Sequence, residues 1–287
     1  MGNLISLIDV KQKCMEGRFL LYDDWRDKLF VPPSIFLVWV FISLGWSGNS
    51  VSWLSGFVTI LGGMLIASNN KILILFGACS YMLYYLLDYV DGGVARYRKT
   101  EGIEGQYIDW IMHSISAISI STGIFIGALN NTHKLWIIPF GFLFILSSSL
   151  QLDRFSLGWW AICMHRQQNK SMDKVKSENC SVLTSDKVKK KSEFFFWRAI
   201  KIISTVIFHE NYAIFVLPAL AILNIFIPSV NFPDFRFVLT VLGGTIYFLF
   251  IAHEIISVGS NKKLETAYSK LFYSTKGPDL PSENFFK

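Results

Sequence analysis

The sequence predicts an all-α, polytopic membrane protein, and three observations lead to this fold class. Hydrophobic residues make up 52% of the 287-residue chain, above the ~45–50% of an ordinary soluble domain. Charged residues make up only 17%, whereas a soluble domain has about 25%. The charges are also segregated, because long apolar stretches with almost none alternate with Lys-rich segments. This segregation is typical of an integral membrane protein.

Six segments are apolar and long enough to be spanning helices, which need ~20 mostly apolar residues. They cover residues 51–68, 71–88, 107–129, 135–153, a fifth segment within 202–228, and 237–257. Residues 34–46 are also apolar, but they are few and follow Pro32 and Pro33. We therefore expect these residues to form an N-terminal interfacial or re-entrant helix rather than a seventh span.

This pattern divides the chain into three parts. Residues 1–48 form an N-terminal segment with the interfacial helix, residues 49–257 form the six-helix membrane domain, and residues 258–287 form a tail. Within the membrane domain, the stretch of about 154–197 is Lys-rich and without helical periodicity. Such a composition favours a flexible loop near lipid headgroups, and a regulatory or partner-binding segment is the alternative.

The distribution of Lys and Arg predicts the orientation. Only Lys71, Lys134 and Arg236 fall between spans on one side, and the other 24 of the 27 basic residues fall on the opposite side. The positive-inside rule then places both termini and the Lys-rich loop in the cytoplasm. The formal charge of +6 is explained by loops that face anionic lipid, so we expect no nucleic-acid partner. The four cysteines indicate neither a disulfide framework nor a zinc site.

Three acids and a histidine lie where the second predicted span ends and the third begins, in the stretch DYVDGGVARYRKTEGIEGQYIDWIMHS. Asp88 and Asp91 are three residues apart, and Asp109 and His113 are four apart, so each pair shares a helix face. A loop over 89–106 would be short enough to bring the faces together as a helical hairpin at the cytoplasmic mouth. Three close carboxylates repel one another unless a cation compensates them. Oxygen ligands suit Mg²⁺ or Mn²⁺, and Mg²⁺ recruits substrate phosphates.

The residues after Asp91 fit a phosphate-bearing ligand. Gly92 and Gly93 let a bulky ligand approach the backbone closely. Arg96, one turn further on, can make a bidentate contact with phosphate. Acids for a metal, glycines for close approach and an arginine for phosphate together predict a site for a nucleotide diphosphate.

This stretch resembles the signature of the CDP-alcohol phosphotransferase (CDP-alcohol phosphatidyltransferase) family, D-x2-D-G-x2-A-R-x8-G-x3-D-x3-D. Seven of the eight signature residues match with every spacing kept, and His113 replaces the last Asp; the matches are Asp88, Asp91, Gly92, Ala95, Arg96, Gly105 and Asp109. Upstream, GNSVSWLSG is similar to the family's P-N-x-[IVL]-T element, with matches at Asn49, Val51 and Ser52 and with Gly48 in place of Pro. The motifs cover about residues 30–130.

The resemblance implies an enzyme with two metal ions, Mg²⁺ or Mn²⁺, that bind the diphosphate of a CDP-linked donor. Asp88, Asp91 and Asp109 would be metal ligands. Asp109 would also be a catalytic residue, and Asp88 and Arg96 would bind the phosphates of the nucleotide. The remaining motif residues would shape the nucleotide pocket: Asn49, Ser52, Gly92, Ala95 and Gly105. The family transfers a substituted phosphoryl group to an alcohol or lipid acceptor with release of CMP, in phospholipid or lipid-linked glycan synthesis, and its members form homodimers.

His113 stands where the family has the aspartate that is taken to deprotonate the acceptor. An unperturbed Asp has a pKa of about 3.9 and an unperturbed His one of about 6.5, so a neutral imidazole is the stronger base. His113 can replace the catalytic base or bind a metal. It can also mark a different chemistry on the same class of donor, or a lost activity.

The sequence thus predicts a membrane-bound CDP-alcohol phosphotransferase with a cytoplasmic active site. Two alternatives belong to other classes. One is a diverged, non-catalytic member that serves as a nucleotide-binding membrane scaffold. The other is a transporter, which would favour charged residues near the bilayer midplane in two related halves; the main cluster instead lies at one end, and the chain has no visible internal repeat.

Overall fold

The protein is described by a computed structural model that covers residues 6–15, 25–151, 195–208, 210–226 and 234–260. Every regular element within these ranges is helical, and none of the described residues forms a strand. The predicted all-α class is therefore confirmed. The predicted Lys-rich loop and C-terminal tail lie almost entirely outside the described residues.

We number the helices of the described ranges in chain order. They are α1 (Leu7–Met15), α2 (Trp25–Ser43), α3 (Gly48–Ile66), α4 (Lys71–Arg98), α5 (Ile103–Thr132), α6 (Leu135–Gln151), α7 (Phe195–Phe208), α8 (Glu210–Phe226) and α9, which runs through Phe235–Leu242, a π-helical turn at Gly243–Tyr247 and Phe248–Ser260. The first turn of α6 is a 3₁₀ turn.

Four helices in the described part of the chain are long and apolar enough to cross a membrane. They are α3, α4, α5 and the Phe235–Val258 portion of α9. Shorter apolar helices occupy Lys28–Ser43, Leu135–Gln151 and Tyr212–Phe226. The protein is thus membrane-embedded, and the predicted fourth and fifth spans coincide with two of these shorter helices.

The helix predicted at 34–46 is longer than expected. It begins at Trp25 and continues through Pro32 and Pro33 without a break. The reason is packing near the two prolines: Phe30 is buried and its ring contacts Tyr85 at a centroid distance of 5.0 Å. This tertiary contact holds the turns before the prolines in helical conformation, although each proline removes one backbone hydrogen bond.

The loop predicted over 89–106 is wrong in its extent. Helix α4 continues through Arg98, and α5 begins at Ile103, so the connection has only four residues. Lys99 ends α4 in the left-handed conformation, and the N–H of Thr100 bonds to the Ala95 carbonyl at 3.0 Å. The motif residues Asp88 to Arg96 are therefore held on a rigid helix instead of a loop.

Helix α3 packs against both α4 and α5 through glycines. A Cβ atom on Gly77 of α4 would lie 2.6 Å from the carbonyl oxygen of Gly62, and one on Gly123 of α5 would lie 2.3 Å from that of Gly63. Only glycine permits backbones to approach this closely. The first turns of α3 are thereby placed beside the motif on α4.

Arg236 joins the end of α3 to the start of α9, at the end of the bundle opposite to the motif. Its guanidinium bonds the Asp234 carboxylate through Nε and Nη2, at 3.0 Å and 2.6 Å to Oδ2. Its Nη1 donates to the carbonyl oxygens of Ile66 and Ser68, at 2.8 Å and 2.6 Å. Because α3 ends at these carbonyls, Arg236 caps α3 while its own backbone begins α9.

We expect Arg236→Met to destabilise the protein by about 3–5 kcal/mol, the usual cost of removing one partner of a buried ion pair. Arg236 is only 2% exposed, so the Asp234 carboxylate would be left without its charged partner. Thermal unfolding in detergent measures the effect. Lys134→Met is the matched control, because Lys134 is exposed at the same end. Equal melting of the two variants would contradict the assigned role.

Candidate functional site

The candidate site lies where three helix segments meet: the last turns of α4, the first turns of α5 and the start of α3. Ser47 caps α3 by accepting the N–H of Ser50 on its Oγ at 3.1 Å. This cap determines that α3 begins at Gly48, beside the end of α4. A Cβ atom on Gly48 would lie 2.9 Å from the Asp91 carbonyl oxygen, so the two helices touch at the motif itself.

Asp88, Asp109 and His113 form a compact cluster. His113 Nε2 lies 3.3 Å from Asp88 Oδ1 and 3.6 Å from Asp109 Oδ1. One potential ligand atom from each residue lies within 4.8 Å of the other two. The side chains are 21–34% exposed, so the cluster is shielded but reachable. The predicted convergence of the α4 and α5 faces is confirmed for these three residues.

His113 is held from its other nitrogen by Tyr84 of α4. The Tyr84 hydroxyl forms a hydrogen bond with Nδ1, and Tyr84 is 1% exposed. If Nδ1–H donates to the hydroxyl oxygen, the lone pair of Nε2 faces the carboxylates and can bind a cation or accept a proton. If the hydroxyl donates to Nδ1, the Nε2–H faces the carboxylates instead. Tyr84 therefore fixes the orientation of the imidazole ring, and the direction of its hydrogen bond determines which tautomer His113 adopts.

Asp91 faces α3 rather than the cluster. Its Oδ2 accepts a 2.6 Å hydrogen bond from Ser52 Oγ, and both residues are buried. Asp91 remains close enough to Asp88 and Asp109 to be repelled by their charges. Three of the four predicted ligands therefore form one cluster, and the fourth, Asp91, lies apart from them on the α3 side.

The α3 side also holds three more of the residues predicted for the nucleotide pocket, namely Asn49, Ala95 and Gly105. A Cβ atom on Gly105 would lie 3.4 Å from Asn49 Oδ1, and one on Gly48 would lie 3.2 Å from the Ala95 Cβ. Together with Ser52, these residues surround the start of α3. The sequence predicted this grouping from two motifs about 40 residues apart.

Arg96 contacts α1 in the structure. Its Nε donates to the Cys14 carbonyl oxygen at 3.2 Å, and a Cβ atom on Gly92 would lie 3.1 Å from Nη1. Cys14 in turn donates its thiol to the Gly93 carbonyl at 3.3 Å. Helix α1 therefore packs across the motif, and the phosphate contact of Arg96 stays a prediction.

The cluster fits a divalent cation by its donor set. Asp88 and Asp109 offer carboxylate oxygens and His113 offers an imidazole nitrogen, a combination that suits Mn²⁺ and, through the carboxylates, Mg²⁺. The spacing of 4.8 Å or less between ligand atoms allows all three to reach one ion. A second ion, as the resemblance implies, would have to draw on Asp91.

Two contributors to the site were missed in the sequence. Tyr84 lies four residues before Asp88 and so shares its helix face, which is the signal that would have identified it. Helix α1 gives no comparable signal, because its contact with the motif depends on long-range packing. Val10 and Cys14 of α1 are buried, and they face α2 and α4.

We expect Tyr84→Phe to lower turnover about 10–100-fold, the usual effect of losing a hydrogen bond that orients a ligating histidine. The fall should be in kcat, with nucleotide affinity kept, since the hydroxyl does not face the α3 side. Tyr85→Phe is the matched control, because the Tyr85 hydroxyl bonds Arg26 at 3.2 Å and not the site. If Tyr84→Phe and Tyr85→Phe both kept the wild-type kcat, the Tyr84 hydroxyl would have no part in turnover.

Comparisons with known proteins do not show a family for this chain. No protein-family model matches the chain, and no curated protein matches it significantly. The resemblance to the CDP-alcohol phosphotransferases therefore rests on the spacing of the motif residues and on the cluster that they form.

Proposed function

We propose that the protein transfers a substituted phosphoryl group from a CDP-linked donor to an alcohol acceptor, with release of CMP. One observation carries the proposal: Asp88, Asp109 and His113 come from two helices and bring their ligand atoms within 4.8 Å. The spacing of these residues is also the spacing of the family signature. Two further motif residues, Ala95 and Gly105, lie against Gly48 and Asn49 at the start of α3, the helix that Asp91 faces.

In this proposal the chain's own residues have separate tasks. Asp88 and Asp109 would hold Mg²⁺ or Mn²⁺ through their carboxylates, and the bound ion would neutralise charge on the diphosphate. Ser52 keeps the Asp91 carboxylate on the α3 side, next to the pocket for the nucleotide. Asn49, Ala95 and Gly105 shape that pocket by leaving room close to the backbone.

The reaction needs a base for the acceptor hydroxyl, and His113 is placed to serve as one. Nε2 takes the proton of the hydroxyl while the acceptor oxygen bonds to the phosphorus of the donor. The bond from that phosphorus to the CMP oxygen breaks, and CMP leaves with the electron pair. Tyr84, with Nδ1–H donating to its hydroxyl oxygen, would favour the tautomer in which Nε2 is free to accept the proton.

A non-catalytic nucleotide-binding scaffold is the second candidate, and a specific observation favours it. His113 Nε2 approaches both Asp88 and Asp109, so a protonated imidazole could compensate the two carboxylates without a metal. Such a cluster would hold its shape in the presence of EDTA. The two candidates therefore differ in their need for a divalent cation.

The test is release of CMP from a panel of CDP-linked alcohols, namely CDP-diacylglycerol, CDP-glycerol and CDP-ethanolamine, incubated with purified protein and a lipid extract. We expect CMP and a phosphodiester product by mass spectrometry with Mg²⁺ or Mn²⁺, and neither with EDTA. Binding of CDP that is insensitive to EDTA, with no CMP released from any donor, would favour the scaffold.

We also propose the six-span topology, with both termini and the site in the cytoplasm. The 24-to-3 segregation of Lys and Arg supports it. A cysteine introduced at Lys174, outside the described residues, should react with an impermeant thiol reagent only after cells are permeabilised. A cysteine at Lys134, in the turn between α5 and α6, should react in intact cells and serves as the control. The reverse pattern would overturn the orientation and move the site to the other side.

A further inference from the structure

A cavity runs from His113 into the membrane-embedded part of the bundle. His113 forms part of its wall. The other walls come from α4, α6, α7, α8 and α9. The cavity therefore lies on the side of His113 away from α3, opposite to the residues assigned to the nucleotide.

The cavity is long, and its length restricts which ligands can fill it. On α5 its wall extends from His113 to Ile124, which are eleven residues apart and so separated by about 16 Å along the helix. Leu217 of α8 and Leu239 of α9 line it as well. A ligand that fills it must be long and must reach well below the cluster.

Its walls are mostly apolar beyond the turn that holds His113, although the side chains of Tyr81 and Tyr247 carry hydroxyl groups. Ser121 and Ser148 both line the cavity, but their hydroxyls already donate to carbonyls of their own helices, Ala117 at 2.7 Å and Phe144 at 3.0 Å. Both serines therefore add little polarity to the wall.

Two polar side chains of the lining, His113 and Gln151, lie at the mouth. Helix α6 returns antiparallel to α5 after the turn at 133–134, so its last described residue, Gln151, lies about 25 Å back along the bundle, level with the turn of α5 that holds His113. Gln151 lines the cavity too and is buried. A polar mouth beside His113 and a mostly apolar interior suit a molecule with a hydroxyl at one end and a hydrocarbon chain at the other.

We propose that this cavity binds the apolar chain of a long-chain alcohol whose hydroxyl lies at His113. That this alcohol is the acceptor rests on the proposed function, in which the nucleotide occupies the α3 side and the base faces the acceptor. The binding of the chain itself needs only the cavity. Each methylene buried from water raises affinity about fourfold, so affinity should increase with chain length until the cavity is full.

The probe for binding is a 16-carbon primary alcohol with a diazirine near its methyl end, photolysed on the purified protein in detergent. We expect crosslinks on residues around Ile124, Leu217 and Leu239, mapped by mass spectrometry. Soluble primary alcohols from butanol to decanol should compete, with potency rising about fourfold per carbon. Crosslinks confined to the lipid-exposed faces, or competition independent of chain length, would overturn the proposal.

A second experiment fills the cavity with larger side chains. Leu217→Trp and Ile124→Trp, on different helices, should each reduce the crosslinks at least tenfold while stabilisation by Mg²⁺ with CDP persists, which verifies folding. Leu223→Trp is the matched control on α8, because Leu223 is 51% exposed. Undiminished labelling in a folded Leu217→Trp or Ile124→Trp variant would refute the site.

The assay for CMP release separates this inference from the proposed function. Specific crosslinking without CMP release from any donor would support the chain-binding cavity and count against the transferase. CMP release with small soluble alcohols only, together with absent crosslinking, would support the transferase and overturn the cavity's assignment. Release that requires long-chain alcohols, and that fails in Leu217→Trp, would support both.

Discussion

Asp88→Asn and Asp109→Asn are expected to abolish CMP release. Asparagine keeps the shape of aspartate but removes the negative charge that a divalent cation needs from its ligands. A metal that polarises a phosphoryl oxygen contributes several kcal/mol to stabilisation of the transition state, and a loss of about 4 kcal/mol lowers the rate about 10³-fold. Each variant should therefore fall to background.

The same variants should lose the stabilisation that Mg²⁺ with CDP gives on heating. A ligand at 100 times its Kd stabilises the native state by about 2.7 kcal/mol, so the wild-type protein should show a clear shift in Tm. Glu104→Gln is the matched control, because Glu104 is an exposed acid in the first turn of α5 and should keep both properties. Turnover that is undiminished in Asp109→Asn would remove Asp109 from the metal site.

The membrane helices and the cluster could be predicted because both follow from local rules. Apolar runs of about 20 residues identified α3, α5 and α9 within a few residues. The spacing of four between Asp109 and His113 placed them on one face of α5, where the structure has both beside Asp88. Sequence spacing and helix geometry were sufficient for these features.

The separate tasks of Asp88 and Asp91 could not be read from their spacing. Three residues along a helix correspond to a rotation of about 300°, which leaves the two side chains about 60° apart. Whether this angle keeps both acids in one cluster depends on what packs beside them. Ser52 of α3 lies within hydrogen-bond distance of Asp91, and its position is set by glycine contacts between α3, α4 and α5 that are distant in sequence.

The length of α4 was underestimated for a related reason. Hydropathy falls after Leu87, and Gly92 and Gly93 each lower helix propensity by about 1 kcal/mol relative to alanine. Tertiary contacts offset this cost: the thiol of Cys14 bonds to the Gly93 carbonyl, and a Cβ atom on Gly93 would lie 2.5 Å from Val38. Packing by α1 and α2 thus keeps the motif helical, and these contacts are not visible in the local sequence.

The cavity beside His113 could not be predicted from the sequence. Its walls come from six helices, and several of its residues are ordinary apolar residues that give no signal of their own. Only their placement around His113 gives them a role. The identity of the residue at 113 therefore affects both the metal cluster and the cavity, and its replacement is the most informative experiment.

His113→Ala is expected to slow the chemical step by about 10²–10⁴-fold, the usual contribution of a positioned proton acceptor, while nucleotide binding survives. If His113 is chiefly a metal ligand, the same change should instead weaken metal and nucleotide binding together. Measuring CMP release alongside the affinity for CDP with Mg²⁺ separates the two roles. His133→Asn is the control, because His133 ends α5 at the opposite end of the bundle in a left-handed conformation that asparagine tolerates.

His113→Asp restores the family signature and sharpens the comparison. A carboxylate at this position can still accept a proton, so the variant should retain measurable turnover, unlike His113→Ala. Its activity should persist to lower pH than that of the wild-type protein, because an aspartate gives up its proton at lower pH than a histidine does. The variant also loses the hydrogen bond between Nδ1 and the Tyr84 hydroxyl, so Tyr84→Phe should have little further effect in the His113→Asp background. Wild-type turnover by His113→Ala at every pH would exclude His113 as base and as essential ligand, and the proton would then have to leave through another group.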